Sequence, residues 1–319
     1  MTIELRLTDV DPPAAEPKRT IYRDIVNLPD PVKLGITVRY FNYDDVGLYF
    51  QITGSGTGYT FGTVNLGLLG SGSNAYINLD EFASKTKPST GDLPNGELEE
   101  NITLTLKAYT DSGYSNLKWT YERIVTVHWI NSADAAFTQD VLNNFDDGTV
   151  QGWSGVIEAD AGTSGSTTLT VAVATDYVLS ASYSLKATYE IANNTQLSTH
   201  FNVRFRLEKA ITTPNKSTVF AIIDMRDSTY VNGANAYTNI KNDIIRKNGD
   251  VLIYIGRPYD TVNADYVPIN KWMRMVVPLP ANTSLTLKII VDGKMYNASG
   301  AYRTHQWLAW LDDFKIISK

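Results

Sequence analysis

The feature that most limits what this chain can become is its period. Apolar residues recur at every second position in short runs, and helical spacing is almost absent. Leu34, Ile36, Val38 and Tyr40 alternate, then Leu48, Phe50 and Ile52. Ile102, Leu104, Leu106 and Ala108 follow, and after them the β-branched run IVTVHW from Ile124 to Trp129. Successive side chains of a strand point to opposite faces, so this alternation describes strands with one buried face. Between the runs lie GSGTG at 54–58, GSGSN at 70–74 and STGDLPNG at 89–96, rich in the residues tight turns require. Short strands with such punctuation predict an all-β chain of antiparallel sandwiches. One stretch, NAYTNIKNDIIRKNG at 235–249, reads as either a helix or an irregular loop.

The 319 residues are enough for two domains. The alternation pauses at NSADAAFTQD, 131–140, and a second series then begins with NFDDGTVQGW, 144–153. Leu169, Val171 and Val173 alternate, as do Phe201, Val203, Phe205 and Leu207. STVFAIID, VLIYIG, WMRMVVPL, LTLKIIV and WLAWLDDFKI supply further strands. The expected organisation is a flexible polar segment at 1–20, an immunoglobulin-like sandwich at 21–135 and a second sandwich at 141–319.

Several chemistries are excluded or disfavoured. There is no cysteine, so disulfides, thiolate nucleophiles and cysteine zinc sites are out. Residues 1–140 carry 11 Lys+Arg against 18 Asp+Glu, and 141–319 carry 17 against 16. Neither half has the basic excess of a nucleic-acid binder. No run approaches the roughly 18 apolar residues of a membrane span. The start, MTIELRLTDVDPPAAEPKRT, shows no signal peptide. H-E-x-x-H, G-x-S-x-G and P-loop motifs are all absent. Glu97, Glu99 and Glu100 follow a Pro-Asn-Gly turn and read as a solvated loop. Asp224 and Asp227 are the best remaining acid pair, flanking a strand end with no evident partner. The expectation is a protein that binds rather than catalyses.

Four segments of the second series carry a resemblance. NFDDGTVQGW, SASYSLKATY at 180–189, NKWMRMVVPLP at 270–280 and WLDDFKI at 310–316 resemble, in order, the strand signatures of jelly-roll, galactose-binding-like carbohydrate-binding modules. Ala181 departs from that pattern, standing where glycine is usual. The resemblance implies a jelly roll over 141–319, with Trp153 and Trp272 packing its core. It also implies one structural Ca2+ held by Asp146 and Asp312, completed by carbonyls near Ser182. The other reading of these aspartates is turn capping, with Gly148 making the turn.

Such modules stack sugar rings on aromatic side chains and bond hydroxyls through Arg, Asn and Asp. Parity with the apolar positions offers Arg204, Arg206, Tyr254, Arg274 and Trp307 as one outward platform. The alternative readings of that face are an ordinary solvated surface and a contact with the first domain. The stretch 224–239 reads as a loop presenting Tyr230 and Tyr237, either for recognition or to cover a sandwich edge. The implied partner is a polysaccharide or other glycan, on an extracellular or surface-associated protein. The competing expectation is an assembly component, of a virion or appendage, that meets protein neighbours through strand edges.

Overall fold

The computed structural model describes residues 2–8, 20–26, 35–41, 47–56, 61–70, 74–78, 88–160, 166–180, 182–194, 200–231, 236–238, 244–247, 250–255, 272–296 and 303–319. Strands dominate, and the described residues include no α-helix. The described residues divide after Ala135 into two compact units.

The first unit contains β1 (Thr2–Thr8), β2 (Thr20–Asp24), β3 (Gly35–Phe41), β4 (Leu48–Gly56), β5 (Phe61–Leu69), β6 (Asn74–Asn78), β7 (Glu97–Tyr109) and β8 (Leu117–Ile130). One sheet runs β2-β8-β7-β4-β5 and another β1-β3-β6. The alternation lands as written: Leu48, Phe50 and Ile52 of β4 are buried with Ile102, Leu104 and Leu106 of β7. Burying each such side chain is worth roughly 1.5–3 kcal/mol.

Two expectations change here. The N-terminal segment is not simply flexible, because β1 pairs in parallel with β3 from Thr2 opposite Gly35 to Thr8 opposite Phe41. Its own sequence, TIELRLT, alternates Ile3, Leu5 and Leu7 between polar residues. The glutamate run is not a solvated loop either, since ELEEN opens β7. Asn95 and Gly96, both at positive φ, turn the chain straight into that strand. Glu100 is buried and accepts a hydrogen bond from Trp129 Nε1 at 2.9 Å, while Glu97 Oε2 lies 2.8 Å from His128 Nε2.

The second unit begins with β9 (Thr138–Asn143), inside the segment read as a link, because β9 pairs along the last strand. Then come β10 (Ser154–Asp160), β11 (Ser166–Ala174), β12 (Ser184–Asn194), β13 (His200–Thr212) and β14 (Val219–Val231). They are followed by β15 (Ala236–Thr238), β16 (Ile244–Lys247), β17 (Asp250–Ile255), β18 (Met273–Pro278), β19 (Ser284–Tyr296) and β20 (Arg303–Ser318). The candidate helix at 235–249 therefore contributes strands, β15 and β16.

Sheet I runs β10-β13-β19-β17-β16, with β15 also on β19; sheet II runs β11-β12-β20-β14-β18, with β9 also on β20. Most pairs are antiparallel, but β17 lies parallel to β19, as β2 does to β8. The two sheets face each other across the core, where Tyr189 of β12 stacks on Phe205 of β13 at 5.7 Å. Gly155 of β10 permits the close approach. A Cβ there would sit 2.6 Å from Val171 Cγ2 and 2.8 Å from Leu169 Cδ2.

Strand β20 reverses its own parity. Trp307, Ala309 and Leu311 stand opposite the buried Tyr189, Ala187 and Leu185. At Asp313 the backbone turns left-handed, φ 46°, and the pairing with β14 slips between Ile222 and Asp224. Beyond the slip Phe314 and Ile316 supply the core. An extra residue in one strand moves every following side chain to the other face.

Candidate functional site

The segment NFDDGTVQGW folds as two successive turns. Gly148 N–H donates to the Phe145 carbonyl and Trp153 N–H to that of Val150. Gly148 and Gly152 hold φ of 73° and 80°, which glycine adopts without strain. The turns bury Phe145 and set Trp153 edge-on against Phe314 at 5.3 Å. Trp272 is buried as well. Asp147 accepts from the amide and hydroxyl of Thr149 at 2.9 and 2.8 Å, and those bonds hold its carboxyl below the usual range.

The two expected calcium ligands reach the same loop, the connection between β11 and β12. Asp146 Oδ1 accepts from Ser182 N–H at 2.9 Å. Asp312 Oδ2 accepts from the amides of Leu179 and Ser180 at 2.8 and 3.0 Å, and Oδ1 from its neighbour Asp313 at 2.8 Å. What the carboxylates meet is therefore amide hydrogen, whereas Ca2+ asks for six to eight oxygens. Among the described residues no three His, Asp or Glu side chains gather as a metal site. Among these residues the arrangement is a hydrogen-bonded clasp in which the two carboxylates hold the loop through its amides. Burial pushes the Asp312 carboxyl up to about 6, against the opposing pull of its amide donors.

The proposed single platform separates into two faces. Arg274 belongs to β18 in sheet II, where it grips the buried Asp224 through Nε at 2.7 Å and Nη2 at 2.6 Å. Asp224 is thus mid-strand and paired, not a lone acid at a strand end. Its carboxyl is raised by burial and pulled back by Arg274. Tyr230 and Asp227 lie within β14 rather than in a loop, their side chains outside the described residues. Trp307 faces the core and is 0% exposed. The parity that puts it outward takes Trp310 and Phe314 as inward: Phe314 lies across the slip at Asp313, and Trp310 is buried on the outer face, beneath Tyr177 of the β11–β12 loop.

The remaining candidates share sheet I. Phe205 and Leu207 of β13 are buried, so positions 204 and 206 fall on the outer face. Arg206 is half-buried and paired with Glu208 at 2.8 Å. Across the sheet, Arg206 stands opposite Ile290 of β19, which stands opposite Tyr254 of β17. Arg204 stands opposite Asp292, and Asn202 opposite Lys294, which pairs with Tyr237 of β15. The outer face therefore has a tyrosine row, an Arg204–Asp292 row, and a second tyrosine row. From Ile290 to Lys294 the two tyrosine rows are about 13 Å apart along β19. The side chains of Arg204, Tyr237 and Tyr254 are outside the described residues. The side chains of Asp292 and Lys294 are outside them as well, and both residues lie just beyond LTLKIIV, the run that marks this strand in the sequence.

No family model matches the sequence, and no curated protein matches it significantly. Solved structures do resemble it. The CBM22-1 xylan-binding domain of Paenibacillus barcinonensis Xyn10C matches at 14% identity and TM-score 0.23, covering 56% of this chain and 93% of that one. The K3 cleaved adhesin domain of Lys-gingipain from Porphyromonas gingivalis matches at 12% identity and TM-score 0.27, covering 57% and 100%. A structure from work on carbohydrate-binding modules of the β-sandwich superfamily matches at 14% identity and TM-score 0.28, covering 90% and 93%. Likeness this distant carries no inference about a ligand.

Proposed function

We propose that the second unit is a non-catalytic glycan-binding module and that the outer face of sheet I is its platform. The first unit, immunoglobulin-like in our reading, serves as spacer or docking module on an extracellular or surface-associated protein. The observation that supports this is the order of rows on sheet I. Sugar rings present apolar C–H faces that stack on tyrosine rings, and Tyr237 and Tyr254 hold the two ends of the strip. Arg204 and Asp292 lie between them, a donor and an acceptor for hydroxyls. The spacing suits a short oligosaccharide better than a single ring.

A glycan-array screen of the intact protein, run with Ca2+ and again with EDTA, tests the proposal. The expected result is selective binding that is weakened by Tyr254→Ala. Because amide hydrogens hold the loop at Asp146 and Asp312, that binding should persist in EDTA. A folded protein that binds no glycan in either condition contradicts the reading.

A further inference from the structure

We infer that the outer face of sheet II carries a second subsite, at Tyr177 and Arg226, that takes a sugar bearing a carboxylate. The loop between β11 and β12 folds over this face. The Ser184 hydroxyl donates to the Tyr177 carbonyl at 2.6 Å, and the Asp146 and Asp312 clasp fixes the loop's next residues. Tyr177 is thereby set edge-on to Trp310, ring centroids 4.7 Å apart. Trp310 is fully buried and donates through Nε1 to Asp176 at 3.0 Å. Tyr177 itself stays 41% exposed. It is a half-open aromatic ring on a rigid base, the part of a sugar site that must be pre-positioned.

Arg226 lies against that ring, its Cζ 3.9 Å from the centroid. The stack holds the guanidinium but gives it no acceptor, and among the described residues Arg226 Nε is buried without a hydrogen-bond partner. The reason lies in the neighbours. Asp224, two residues back on the same face, is taken at both oxygens by Arg274. Asp312 is taken by three amides. Asp176 accepts from Lys186 at 2.6 Å as well as from Trp310. Asp313 accepts from the Ser180 hydroxyl at 2.7 Å and lies 3.8 Å from Lys315. Each of these four acids is already engaged, and Arg226 is left to select an anion from outside.

A guanidinium binds a planar carboxylate in a two-pronged geometry that an ammonium cannot copy. A uronic-acid unit supplies both that carboxylate and a C–H face for Tyr177. The ligand class rests on the glycan-binding reading, while the site and its residues are separate from the sheet I platform.

The test is calorimetric titration of the intact protein with oligogalacturonate and with its methyl ester, alongside a neutral glycan found by the array. The acid should bind about tenfold more tightly than the ester. Arg226→Gln should abolish that preference and Arg226→Lys should restore only part of it. Tyr254→Ala should weaken the neutral glycan and leave the acid-over-ester preference intact. Equal affinity for acid and ester overturns the inference, as does a preference that survives in Arg226→Gln at unchanged melting temperature. Acid binding without any neutral-glycan binding supports this subsite while removing the sheet I platform. Should Arg226→Gln not fold, Tyr177→Phe and Arg226→Lys decide: the first keeps the preference and the second reduces it, or the inference fails.

Discussion

On the outer face of sheet II, Asp176, Asp224, Asp312 and Asp313 are all engaged by partners within the protein, and a loop closes over part of the sheet. The outer face of sheet I is different, setting tyrosine, arginine and aspartate positions in rows across strands that pair without a slip from His200 to Thr212. On the first face the acids are engaged within the protein; on the second, the strand register places the tyrosine, arginine and aspartate positions together on one face. Similar residue types therefore serve different ends, and substitutions on the two faces should fail differently.

The largest contrast is between aromatic residues. Trp307→Ala removes a core indole and should cost about 3–5 kcal/mol of stability. Tyr254→Ala should stay within about 0.5 kcal/mol in urea unfolding, as surface substitutions usually do, while glycan affinity falls about three- to tenfold. Equal stability losses in the two variants would erase the distinction between the faces. The arginines come next. Arg274→Ala strands the buried Asp224 and should cost about 3–5 kcal/mol, against about 1 kcal/mol or less for Arg206→Ala, whose pair with Glu208 is far better solvated.

A smaller effect depends on pH. The Asp312 carboxyl rises from 3.8 to about 6 on folding, so the folded state retains a proton that the unfolded chain has released. The contribution is full below about pH 4 and is lost as pH rises through about 6, at most about 3 kcal/mol. Melts between pH 4 and 7 should show this loss in the wild type and a flatter profile in Asp312→Asn. A smaller effect than this belongs to Asp146→Ala, which removes exposed bonds from the Ser182 amide and the Asn144 side chain and should cost about 1 kcal/mol.

What the sequence disclosed follows from what a period can carry. Alternation identified the buried sets of β4 and β7, and the glycines of NFDDGTVQGW announced turns that the backbone makes at Gly148 and Gly152. Trp153 and Trp272 took the core positions their motifs suggested. Parity could say which face a residue occupies but not which sheet. Arg274 and Arg206 were accordingly grouped, although they lie on β18 and β13 of different sheets. Parity misplaces Trp307 for two reasons: the left-handed Asp313 breaks the count from Phe314, and Trp310 is buried on the outer face by a loop rather than by the core. Asp224 found its partner 50 residues away, a relation no local pattern encodes. At β1 and ELEEN, charge obscured strands whose polar residues alternate with, or pair beneath, apolar ones.

The most direct test of the central claim is hydroxyl-radical footprinting of the intact protein with and without a saturating neutral glycan from the array. Protection of Tyr237 and Tyr254, with Trp307 unreactive in both states, is the predicted result. Saturable binding that leaves both tyrosines as reactive as in the free protein would contradict the assignment of sheet I as the glycan platform.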